Sequence, residues 1–74
     1  MDEQIKKDLE KVKQNPYYLR CVKEQTLEMC LVAVQKDWRA LQFVKNQTPE
    51  ICMEAVRQDW RAFEYVENKE QYWG

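Results

Sequence analysis

The chain has 74 residues, a formal net charge of −1, one Gly, two Pro, three Cys and no His, with 45% apolar and 34% charged side chains. That length makes at most one domain, and it leaves room for only a very small active site, since such a chain buries only about 60% of the surface its unfolded form exposes. The near-neutral charge excludes a DNA mimic and has the wrong sign for a general nucleic-acid binder.

The composition is that of a compact helical protein and not of a disordered one. No apolar run approaches the length of a membrane span, and the first residues, MDEQIKKDLEK, lack the apolar stretch of a signal peptide. A cytosolic (cytoplasmic) protein is expected. Charge is uneven along the chain: residues 1–25 and 26–47 each sum to +1 and residues 48–74 to −3.

Two consecutive segments are near copies, TLEMCLVAVQKDWRALQFVKNQ at 26–47 and TPEICMEAVRQDWRAFEYVENK at 48–69. A fixed period is the mark of a repeat architecture. Taken in chain order, Gln4 to Gln25 falls on the same template, with Leu9, Val12, Leu19 and Val22 where the second unit has Leu31, Val34, Leu41 and Val44. This first unit carries Lys7, Asp8 and Lys11 where the later ones have Met29 or Ile51, Cys30 or Cys52, and Ala33 or Ala55. Such polar replacements suit a terminal repeat whose outer face meets water. Asn15-Pro16 marks the start of a second helix in this unit, because Asn is a good N-cap and Pro fits the first helical turn.

In the second unit, Thr26-Leu27-Glu28 begins a helix, with Thr as N-cap and Glu at the positive helix end. Leu27, Cys30, Leu31 and Val34 form its buried stripe, and it stops near Lys36. Asp37-Trp38 begins the next helix, whose apolar residues Ala40, Leu41, Phe43 and Val44 wrap most of the way round, as in a helix buried on two sides. The third unit repeats the scheme with Thr48-Pro49-Glu50, a stop near Gln58, and Asp59-Trp60. Glu70 to Gly74 begins a fourth unit as a truncated cap. The expected fold is all-α, a short helical-repeat solenoid of three 22-residue helix-turn-helix units, 4–25, 26–47 and 48–69, giving six short helices in a single domain spanning 1–74.

The strings LEMCLVAVQKDWRALQFV and PEICMEAVRQDWRAFEYV resemble the bacterial and viral repeat family catalogued as domain of unknown function 4116. Its units read as an acidic helix start, an Ala-Val pair, a polar turn and an Ala-Leu-x-x-Val ending. The resemblance is clear in the second and third units and weak in the first, and it implies a scaffold fold with no assigned activity. Asp37-Trp38 and Asp59-Trp60 depart from the Asn-Gly often found at the family's turn, which singles out the two tryptophans.

No enzyme is expected: there is no His, no Ser or Cys beside a plausible base, no Gly-rich phosphate loop, and no carboxylate pair facing a cavity. No cofactor and no metal are implied, since three Cys without CxxC spacing form neither a disulfide framework nor a zinc knuckle. Cys30 and Cys52 read as small core residues, and Cys21, aligned with Phe43 and Tyr65, is expected to be buried too. The outward ridge of the second helices is Tyr17, Arg20 and Lys23, then Arg39, Gln42 and Lys45, then Arg61, Glu64 and Glu67. Its acidic end argues against nucleic acid, and ion pairs Arg61 with Glu64 and Glu54 with Arg57 would solvate it.

Trp38 and Trp60 read either as inter-unit core or, each followed by Arg, as anchors of a partner-binding face made of Trp38, Arg39, Gln42, Trp60, Arg61 and Glu64. Val32 is a further exposed apolar candidate. Because no unit follows the third, Trp60, Phe63, Tyr65 and Val66 are expected to need cover, either from Tyr72 and Trp73 folding back as a cap or from a homodimer through the C-terminal end. A monomer is the expected state. The functional expectation is a non-catalytic protein-binding module acting by stoichiometric binding to a larger protein, which it inhibits or adapts. The alternatives are a phage- or mobile-element-encoded inhibitor of a bacterial defence nuclease, of the anti-CRISPR type, and a structural or self-assembling helical protein.

Overall fold

A computed structural model describes residues 3–67. Tyr72, Trp73 and the rest of the segment read as a cap lie outside the described residues. Within them the chain alternates three α-helices with three short 310 helices: α1 (Glu3–Gln14), η1 (Pro16–Cys21), α2 (Leu27–Lys36), η2 (Trp38–Phe43), α3 (Pro49–Gln58) and η3 (Trp60–Tyr65). The architecture is all-α with six short helices, and the breaks fall where the sequence places them.

Local chemistry fixes these boundaries. The Thr26 and Thr48 hydroxyls accept from the backbone N–H of Met29 and Ile51 at 3.2 and 3.3 Å, which satisfies a donor that has no partner within the first helical turn. Asn15, Asp37 and Asp59 adopt extended backbone, and their side chains accept from Tyr17, Arg39 and Arg61 N–H at 3.1, 3.0 and 3.0 Å. The same three residues end one helix and begin the next. The chain therefore turns without any glycine or positive φ among the described residues.

The second helix of each unit is 310 and not α. Its bonds close over three residues, as in Ala40 N–H to Asp37 O and Val44 N–H to Leu41 O at 2.9 and 3.1 Å, so positions three apart eclipse. Leu19 and Val22, Leu41 and Val44 use that spacing and are buried. Leu27, assigned to the buried stripe from its spacing, is instead 48% exposed; it is the first helical residue after the cap, and the chain has not yet turned onto the core there.

α2 packs against α1 and η1, and α3 against α2 and η2, while η1, η2 and η3 line up side by side. The described residues extend 39 × 19 × 16 Å. Comparing equivalent positions shows which residues make each seam. Met29 and Ile51, Ala33 and Ala55, and Ala40 and Ala62 are fully buried, whereas the first-unit counterparts of the first two pairs, Lys7 and Lys11, are exposed and that of the third, Tyr18, is half-buried. These positions face the preceding unit, and the alanines let backbones approach closely. Lys11 lies over the Tyr18 ring at 5.4 Å. Asp8 departs from the polar-face expectation, since it is buried and accepts from Gln4 Nε2 at 2.9 Å.

A second device ties the units together. Gln25 Nε2 donates to Leu19 O within its own unit and to Phe43 O in the next, at 3.0 and 2.8 Å, while its Oε1 accepts from Lys45 N–H at 2.9 Å. Gln47 repeats this with Leu41 O, Tyr65 O and Glu67 N–H at 3.3, 2.8 and 2.9 Å. One amide thus bonds to backbone groups at the ends of two 310 helices in a partly buried seam, adding to the Val22 and Val44 N–H groups that already reach Leu19 O and Leu41 O.

Candidate protein-binding site

The three cysteines divide by environment. Cys30 and Cys52 are buried, with their thiols 3.8 and 3.5 Å from Gln25 and Gln47 Oε1. Burial pushes the Cys30 thiol up to about 11, and burial, followed by the Glu67 charge, raises that of Cys52. Both are protonated near neutrality and are poor nucleophiles. Cys21 is exposed, contrary to the expectation of three buried thiols. It aligns with Phe43 and Tyr65, whose rings meet Tyr17 and Trp38 of the unit before them.

Among the described residues no group of three His, Cys, Asp or Glu side chains could hold a metal ion. One groove, along the loops after η1 and η2, is lined by Lys23, Gln25, Thr26, Lys45 and Thr48. A second lies between α1 and the end of η1, beside Asp8, Tyr18 and Cys21.

The ridge formed by η1, η2 and η3 brings the tryptophan–arginine pairs together. The Trp38 ring is half-buried and stacks on Tyr65 at 6.1 Å between centroids, 30° between planes. The Arg61 and Arg39 guanidinium carbons lie 5.2 and 5.7 Å from its centroid. One seam earlier, Tyr17 meets Phe43 edge-on at 5.8 Å, with the Arg20 guanidinium 5.9 Å from the Phe43 ring. Tyr65 therefore faces back across the seam to Trp38, and not toward the C-terminal end where it was expected to need cover. Trp60 is 76% exposed. Phe63 is half-buried, and Gln42 and Glu64 are exposed. Gln42 Nε2 donates to Arg39 O at 3.0 Å. Val32 is half-buried.

The arginines are tied to the aspartates that cap their own helices. Arg39 Nε and Nη2 donate to Asp37 at 3.1 and 3.2 Å, and Arg61 Nε and Nη2 to Asp59 at 3.1 and 2.6 Å. Arg61 pairs with Asp59 in place of the predicted Glu64, because the aspartate that caps the helix already lies within reach of the fork. The Glu54–Arg57 pair is present at 3.6 Å. Burial opposes ionisation of Asp37, but hydrogen bonds from Arg39 and Tyr17 hold its carboxyl below the usual range. Arg61 does the same for Asp59. Forks already engaged with carboxylates are poorly placed to take phosphate. They serve as flat, cationic covers for the Trp38 ring.

A family model matches residues 26–70, more than half of the chain. The chain belongs to the family described as domain of unknown function (DUF4116). The matched stretch begins at the Thr26 N-cap and runs through the third unit, so this DUF4116 chain shows the family pattern in its second and third units, with α1 and η1 ahead of it. No curated protein and no solved structure matches it.

Sequence reasoning missed the glutamine bridge. Its signal was the identity of residues 25 and 47, which a comparison of the second and third units hides because Lys69 holds the equivalent place.

Proposed function

We propose that this DUF4116 chain is a non-catalytic protein-binding module that acts by stoichiometric binding to a larger protein, which it inhibits or adapts. The observation that carries this reading is the exposure of Trp60, 76%, at a position whose equivalent one unit earlier is covered by an aromatic ring and two guanidinium groups. Trp and Arg are among the residues most enriched at interface hot spots. Beside Trp60 an open depression is lined by Val56, Arg57, Gln58, Asp59 and Arg61.

The experiment is affinity capture from the source organism's lysate with full-length protein and with Trp60→Ala. A larger protein retained in stoichiometric amount by the wild type and lost with Trp60→Ala supports the reading; equal retention by the variant removes Trp60 from the site. Charge reversal at Arg39 or Arg61 is a poorer probe, because it would set a glutamate against Asp37 or Asp59 and disturb the helix start.

A further inference from the structure

Trp38 and Trp60 hold the same place in consecutive units and differ in what lies on the far side of the ring. Trp38 is covered by the following unit, through the Tyr65 ring and the Arg61 guanidinium. Trp60 lacks that cover to the extent of its 76% exposure. The pattern extends beneath the ring. Val12 and Val34 are fully buried, but their counterpart Val56 is only half-buried, and Met53, the counterpart of half-buried Leu9 and Leu31, is 49% exposed. The described residues thus contain two completed seams and, at α3 and η3, one half of a third.

The completed seams show what the missing half looks like. The following unit brings an aliphatic residue and an alanine one turn apart on its α-helix (Ile51 and Ala55), then Arg61 and Tyr65, four residues apart, on its 310 helix. We propose that the face formed by Met53, Val56 and Trp60 docks the helical end of a different protein that presents this same set: aliphatic and alanine at i and i+4, followed by an arginine and an aromatic ring. This proposal rests on the protein-binding reading and names the kind of partner. A second copy does not fit head to tail, because its first unit offers Lys7, Lys11, Tyr17 and Cys21 at those four positions. Docking it would press two ammonium groups against Val56 and Met53, and would set Tyr17 in place of the arginine and Cys21 in place of the aromatic ring that cover Trp38 in the completed seam.

The test uses full-length protein and a synthetic peptide copying residues 48–67, with the Trp60 indole N–H followed by NMR. The proposal predicts a saturable shift of Trp60, and binding weakened about tenfold or more, equal to 1.4 kcal/mol, by Trp60→Ala in the protein or by lysine at the peptide's Ile51 and Ala55 positions. Because a free peptide is a poor helix former, the same residues are also appended after Gly74 through a flexible linker. There the proposal predicts a higher melting temperature and protection of Trp60 from acrylamide quenching. Neither a shift at about 1 mM peptide, a concentration that reaches even weak complexes, nor protection in the fusion overturns it. So does peptide binding that appears only after residues 68–74 are deleted, which would make the chain's own end the occupant. Self-association abolished by Trp60→Ala would make a second copy the occupant and equally overturns the proposal. Should the lysate partner depend on Trp60 while peptide and fusion fail, protein binding stands and this choice of occupant falls; should all three fail, both fall.

Discussion

At the scale of single residues, Gln25 and Gln47 do more for the fold than their polarity suggests. Each amide donates to two carbonyls and accepts from an N–H across a seam. A carboxylate can accept but not donate, so Gln47→Glu keeps the shape and removes the side-chain donor from the Leu41 and Tyr65 carbonyls, Leu41 O retaining the Val44 N–H. We expect a loss of about 2 kcal/mol in urea unfolding, and no change in stability would remove the bridge from the account. The thiols give a second check. Cys21 should react rapidly with a thiol reagent, and Cys30 and Cys52 only as the fold opens, because burial both shields them and disfavours the thiolate. Three equally fast thiols would contradict the burial pattern. The core positions Cys30 and Cys52 were legible from periodicity. Cys21 was not, since burial at this position is set by contacts across a seam, as at Phe43 and Tyr65, and not by its own helix.

At the scale of elements, helix starts and stops were readable because caps act locally: Thr26, Thr48, Asn15, Asp37 and Asp59 each bond to a backbone N–H two or three residues on. The 310 character of η1, η2 and η3 was not. Six residues are too few for a period of three to be told from one of 3.6, and only the eclipsed burial of pairs such as Leu41 and Val44 reveals it. Asp37 and Asp59 combine capping with the arginine pairing, and their carboxyls sit below the ordinary value of about 3.9. The folded protein thus binds these protons less readily than the unfolded chain. Their contribution is complete above the unfolded pKa and is lost as pH falls through the folded values. Melting temperature should drop on acidification below about pH 4, and the drop should be shallower in an Asp37→Asn, Asp59→Asn variant, which keeps the caps as Asn15 does. An identical acid profile for the variant would show that these carboxylates do not sense folding.

At the scale of the whole molecule, the all-α class and the order of six short helices were legible from two near-identical strings. The direction in which each residue faces was legible only in part: Trp60 was expected to lack cover together with Phe63, Tyr65 and Val66, but Val66 is buried and Tyr65 turns back to stack on Trp38. Neighbours decide instead. Trp38 is enclosed by the unit after it, and Trp60 is exposed. The central claim, that one tryptophan is mortar between units and its twin an open docking surface, is tested most directly by thermal unfolding of Trp38→Ala beside Trp60→Ala. The account predicts that Trp38→Ala costs about 2 kcal/mol from lost burial and ring stacking, a fall of roughly 10 °C in a domain of this size, while Trp60→Ala stays within about 0.5 kcal/mol of the wild type. Equal losses at the two positions, or a larger loss at Trp60, would contradict it.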